Sequence, residues 1–129
     1  MRLLLDTHIW LWSIREPHRV GKRVARELSN PQNERWLSPI STWEALILNA
    51  KGRIRLPANL ESWLARSTAP FREAPFTHEI ALASQIISLP HRDPADRFLV
   101  ATAQVLRLTL VTADRQLLGL GEISTLANH

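Results

Sequence analysis

Two short apolar runs in this chain end on an acid. Leu3-Leu4-Leu5 stops at Asp6, and Leu108-Thr109-Leu110-Val111-Thr112 is closed by Asp114. These runs predict strands over Arg2–Leu5 and Thr109–Thr112, with further short strands at Arg35–Leu37, Glu73–Phe76 and Glu122–Thr125. Between them the spacing turns helical. A helix is expected over Thr7–Ile14. A second is expected over Pro17–Ser29, where Val20, Val24 and Leu28 recur every four residues as one apolar stripe. Asn30-Pro31-Gln32-Asn33 is a turn.

Ser38-Pro39 places a capping hydroxyl before a proline at the first helical position, and Gly52 supplies the stop after a helix to Lys51. Leu60–Ser67 is a shorter helix flanked by Pro57 and Pro70. Thr77 opens a helix that runs to Ser88 and is ended by Pro90, and Asp93-Pro94 opens another that runs to Leu106. A last short helix covers Asp114–Leu118. Strands alternating with helices imply an α/β fold, a mostly parallel sheet with helices on both faces.

Composition bounds this picture. At 129 residues with no repeats, low-complexity runs or linkers, the chain reads as a single domain spanning 1–129. It has no cysteine, so disulfides and thiolate metal sites are excluded. The N-terminus is apolar but interrupted by Asp6 and His8, unlike a signal peptide, and no apolar run approaches a membrane span. A soluble, cytoplasmic protein is expected, with no membrane partner. The net charge of +4 mildly favours an anionic partner such as nucleic acid.

The acids carry the chemistry. In a parallel sheet the C-terminal strand ends share one edge, so Asp6 and Asp114 fall where ligand sites form. Converging carboxylates repel by roughly 4 kcal/mol per pair at an effective dielectric near 20. They need protons or a hard cation such as Mg²⁺. Each aspartate also has an ordinary use. Asp6, Asp93 and Asp114 stand at helix starts, where Asp is a preferred cap, and Asp96 lies in a first turn. Glu44 is different. It shares a helix face with Ile40 and Ile47, so it should be partly buried, and that calls for a partner unless it snorkels to water.

The segments LLLDTHIWLW, SPISTWEALILNAKGRIRLP, HRDPADRFLVATA and LTLVTADRQL, in this order, closely resemble the PIN-domain nucleases, in particular the VapC-like toxins of toxin–antitoxin pairs. The resemblance runs nearly end to end. It implies a PIN-like α/β/α sandwich and a Mg²⁺- or Mn²⁺-dependent endoribonuclease acting on single-stranded RNA, restrained by a cognate antitoxin and forming a homodimer. It carries the metal-site acids onto Asp6, Glu44, Asp96 and Asp114. Asp96 is preferred to Asp93 because the family's third acid directly precedes the apolar helix, here Arg97-Phe98-Leu99-Val100-Ala101. Asp93 then keeps its role as cap. Thr7 and Thr112 become candidate supporting hydroxyls, or ordinary cap and strand hydroxyls. The implied chemistry is hydrolysis by metal-activated water, leaving a 5′-phosphate and a 3′-hydroxyl.

Other polar residues have two readings each. His8 and His91 lie close to acids, yet hard oxygen ligands already suffice for such a cation. Arg19, Lys22, Arg23 and Arg26 form a basic stripe that either follows an RNA backbone or is simply solvated. Arg97 and Arg115 each follow a site acid and either bind the scissile phosphate or pair with carboxylates. Trp10, Trp12 and Trp43 are expected in the core or a dimer contact rather than stacked on bases. Two rivals stand beside the nuclease reading. One is another metal-dependent phosphoesterase, although a haloacid-dehalogenase-type phosphatase needs Asp-x-Asp where this chain has Asp6-Thr7-His8. The other is a non-catalytic PIN binding module, which would not need four acids.

Overall fold

In the computed structural model, residues 1–89 and 93–129 are described; Pro90 and His91, named above as a helix end and a candidate ligand, lie outside them. The elements are β1 (Arg2–Leu5), α1 (Thr7–Arg15), a 3-10 turn (Pro17–Arg19), α2 (Lys22–Ser29), β2 (Glu34–Leu37), α3 (Pro39–Ala50), α4 (Leu60–Thr68) and β3 (Arg72–Glu73). There follow α5 (His78–Ile86), α6 (Pro94–Leu106), β4 (Thr109–Thr112), α7 (Arg115–Leu118) and β5 (Ser124–Ala127). The strands pair in parallel in the order β3-β2-β1-β4-β5.

β1 is the middle strand. The chain winds outward from it through β2 to β3, then returns to its other side for β4 and β5. The gap between the C-terminal ends of β1 and β4 is therefore the topological switch point, where an open parallel sheet leaves a crevice.

The sheet separates two cores because strand side chains alternate between faces. Leu3, Leu5 and Val111 face a layer formed by Ile9, Trp10 and Leu11 of α1, Val24 of α2, Ala45 of α3 and Trp63 of α4. Leu4 and Leu110 face the opposite layer, with Ile80 of α5, Leu99 and Val100 of α6, and Leu117 of α7. Complete burial of Leu3, Leu4 and Leu5 explains why β1 is an unbroken apolar run. The indole of Trp10 is satisfied by donating to the Ser67 carbonyl at 3.0 Å.

Several caps follow the local sequence. Ser38 accepts from the Ile40 amide, Thr77 from Ile80 and Asp93 from Ala95. Gly52 stands just past α3 with φ of 71°, the left-handed conformation that glycine adopts most readily.

Four expected elements differ by more than one residue. The expected helix over Pro17–Ser29 is broken at Gly21. Asn128 accepts from the Gly21 amide at 2.6 Å and donates to the Arg19 carbonyl at 3.0 Å, taking two backbone groups that a continuous helix would use. A Cβ at Gly21 would stand 2.2 Å from the His129 carbonyl oxygen, so the approach also requires glycine. The strand expected at Glu73–Phe76 is Arg72–Glu73, and the last strand is Ser124–Ala127 rather than Glu122–Thr125. α5 stops at Ile86, two residues before the expected Ser88.

Candidate active site at the switch point

Asp6 ends β1 and begins α1. Its backbone stays in the sheet, with the amide donating to the Val111 carbonyl at 2.9 Å. Its side chain makes no capping hydrogen bond, although the position is one where Asp normally caps. The register explains where the carboxylate goes instead. Leu5 pairs with Val111, so the next residue along β4 is Thr112, and its hydroxyl donates to Asp6 Oδ2 at 2.7 Å. The same Thr112 oxygen accepts from the Asp114 amide at 3.0 Å. Asp114 does cap α7, accepting from the Gln116 amide at 2.8 Å.

Glu44 approaches from the other side, on α3, which packs against both α1 and α6. The Thr7 hydroxyl, one residue after Asp6, makes a short hydrogen bond to Glu44 Oε1. It also lies 2.9 Å from the hydroxyl of Ser41. Thr7 and Thr112, expected as supporting hydroxyls, thus each contact a site carboxylate. Ser41 is the residue that the sequence reading missed. Its signal is the i, i+3 spacing to Glu44, which puts both on one helix face.

Electrostatics joins these residues to α6. Burial pushes the Asp6 carboxyl up, Thr112 and His8 oppose this, and Asp114 adds to it. Glu44 is also raised, first by burial and then by the charges of Asp6 and Asp93. Asp96 is raised to about 7, by burial first and then by Asp6, Asp93, Glu44 and Asp114 in that order. The four acids named from the sequence therefore act on one another across a shared space. Asp93, read as the cap, does cap α6 and also adds its charge to this field.

Among the described residues, no three His, Asp or Glu side chains already stand as a metal-holding group. The donor set is nonetheless all carboxylate and hydroxyl oxygen, which suits a hard cation and no soft one. A cation would lower the burial and repulsion energies that raise Asp6, Glu44 and Asp96 together, so the residues fit a divalent ion.

Other expected roles change. Arg97 forms no ion pair with a carboxylate among the described residues. It donates to the carbonyls of Ser84 at 2.9 Å and Ile87 at 3.0 Å, closing the end of α5. Arg19 leaves the basic stripe, because it sits in the 3-10 turn and stacks on Trp12 at 4.1 Å. Lys22, Arg23 and Arg26 remain exposed along α2. Trp10 is fully buried, but Trp43 is 51% exposed and is no core residue.

The chain belongs to the PIN-domain family: the family model described as PIN domain matches residues 3–122. Within that family it is 32% identical over 118 residues to Ribonuclease VapC22 of Mycobacterium tuberculosis, covering 89% of this chain and 88% of that protein. The fold is similar to that in the crystal structure of VapBC2 from Rickettsia felis bound to a promoter DNA fragment. There the TM-score is 0.75 at 15% identity, over 100% of both chains. It is similar also to DNA-bound VapBC from Salmonella typhimurium, with TM-score 0.75 at 14% identity over 98% of each chain.

Proposed function

We propose that this chain is a VapC-like endoribonuclease that cleaves single-stranded RNA and is held inactive by a cognate antitoxin. The observation that supports the reading is that Asp6, Glu44, Asp96 and Asp114 lie close enough beside the switch point for their charges to act on one another. Its similarity to a relative named as a ribonuclease supports the choice of RNA. Solved VapBC assemblies of the same fold support an antitoxin partner.

Asp6, Glu44, Asp96 and Asp114 would hold Mg²⁺ or Mn²⁺, which when bound supplies an activated water and charge neutralisation for phosphodiester hydrolysis. The chain's own contribution is to aim two of these carboxylates and to oppose in part the burial that raises them. Thr112 donates to Asp6 and Thr7 to Glu44, and each hydroxyl favours the charged form of its acceptor. An antitoxin could inhibit by setting an arginine among the carboxylates, because the planar guanidinium binds them bidentately.

The test is cleavage of a defined RNA by purified protein in Mg²⁺, Mn²⁺ or chelator. Cleavage that needs the cation and leaves 5′-phosphates supports the reading. A protein that instead hydrolyses phosphomonoesters or DNA is another phosphoesterase. One that binds RNA or antitoxin without cleaving is a binding module.

A further inference from the structure

We infer that Ser41 is a positioning residue for the site, fixing the direction of the Thr7 hydroxyl proton so that it points to Glu44. The inference rests on the ribonuclease reading for its purpose, though not for its geometry. Ser41 is completely buried on α3, one turn before Glu44. Its hydroxyl lies 2.9 Å from Thr7 Oγ1 and has no other hydrogen-bond partner among the described residues. Thr7 Oγ1 is also bonded to Glu44 Oε1.

Proton counting then sets the direction. A hydroxyl has one proton to give, and an ionised carboxylate can only accept. With Glu44 ionised, as a cation ligand must be, Thr7 has to donate to Glu44. Its contact with Ser41 can then be a hydrogen bond only if Ser41 donates. The reverse arrangement would place Thr7 and Glu44 oxygens together with no proton between them. Ser41 therefore occupies a Thr7 lone pair and leaves its proton one useful target. Without Ser41 the hydroxyl can turn about its Cβ–O bond, and Glu44 loses a fixed donor.

Ser41→Ala removes one oxygen and leaves the helix intact. Calorimetric titration of the variant with Mn²⁺ should show affinity about 3–10-fold weaker, below the 10–100-fold typical of groups bonded directly to a ligand. Its Tm should stay within a few degrees of wild type. In the Thr7→Val background the same substitution should cause no further loss, since Ser41 acts through Thr7. Crystals of the metal-free proteins should show Glu44 in one orientation in wild type and spread over several in Ser41→Ala. Unchanged Mn²⁺ affinity with an unchanged Glu44, or an equal loss in the Thr7→Val background, would overturn the inference. If wild type neither binds Mn²⁺ nor cleaves RNA, the ribonuclease reading fails, and the metal-free Glu44 orientation still decides the role of Ser41.

Discussion

The two sides of the site are built from the same chemistry but held by different means. On the sheet side, Thr112 gives its proton to Asp6, and the Asp114 amide occupies the Thr112 oxygen. That amide cannot reverse its role, so the direction of the chain is set by the backbone. On the helix side, Thr7 gives its proton to Glu44, and only another side-chain hydroxyl, Ser41, stands behind it. The sheet register brings Asp6 and Thr112 together, whereas packing of α3 on α1 brings Glu44 to Thr7. A carboxylate anchored through a sheet is thus rigidly placed, and one anchored through helix packing is more adjustable. The difference suits a site that must admit a substrate.

The strongest way to break the comparison is at the rigid side. Asp6→Asn keeps the shape and removes the most deeply placed charge. RNA cleavage should fall by about three orders of magnitude or more if, as proposed, Asp6 is a hard anionic ligand of a catalytic cation. Without metal the same variant should melt higher than wild type, because one member of a repelling cluster is gone. Wild-type cleavage by the Asp6→Asn protein in Mg²⁺ would show that the site lies elsewhere.

The hydroxyls test the two anchors against each other. Thr112→Val and Thr7→Val should each weaken Mn²⁺ binding by about 10–100-fold. Only Thr112→Val leaves a backbone N–H without its acceptor, which should lower stability by about 1–3 kcal/mol. Urea denaturation of the pair separates them. Equal destabilisation would remove the distinction between backbone and side-chain anchoring.

A pH series reads the charge field. The folded Asp96 carboxyl is raised to about 7, above its ordinary carboxylate range. The folded state then binds more protons than the unfolded state between the two values. Metal-free stability should be greatest in acid and decline as pH rises toward 7. Asp96→Asn should flatten this decline and raise Tm near neutrality by about 3–8 °C. Thermal melts from pH 4 to pH 8 with chelator check both, those limits being approximate ends of the window. A wild-type Tm that rises across it would contradict the assigned field. The smallest effect is expected at Asp93→Ser. Serine also caps, so activity should stay within about threefold of wild type, the change in capping being worth a few tenths of a kcal/mol. Loss on the scale of Asp96→Ser would promote Asp93 from cap to ligand.

How far these features could be read from sequence follows their physical origin. β1 and β4 lie between two layers, so their apolar runs declare them. β3 is two exposed residues at the sheet edge, and β5 buries only Leu126 of its four, so neither carries a clear alternation. The break in the second helix depends on Asn128, more than a hundred residues away from Gly21 and Arg19, as separations of 107 and 109 show. No local pattern reports such a contact. The places of Asp6, Asp114 and Asp96 were legible because strand ends and helix starts are legible, and Glu44 stood out as an acid on an apolar helix face. Ser41 was not, because its value lies in a neighbour, Thr7, on another helix. The hydrogen bonds of Arg97 were not legible for a related reason. Its position after Asp96 says nothing about the free carbonyls at the end of α5 that claim it.

The pairing of β1 with β4 also sets when the protein becomes active during its own synthesis. Asp6 and Thr112 are 106 residues apart, and Asp114 is further on. Ordering so long a loop is entropically unfavourable until the strands that close it are both present, and parallel pairing of this kind is intrinsically slow. A nascent chain therefore carries Asp6 and Glu44 early, without the strand that completes their site. Fragments ending before β4 should be silent toward RNA, because Asp6 meets Thr112 only once that strand has been made.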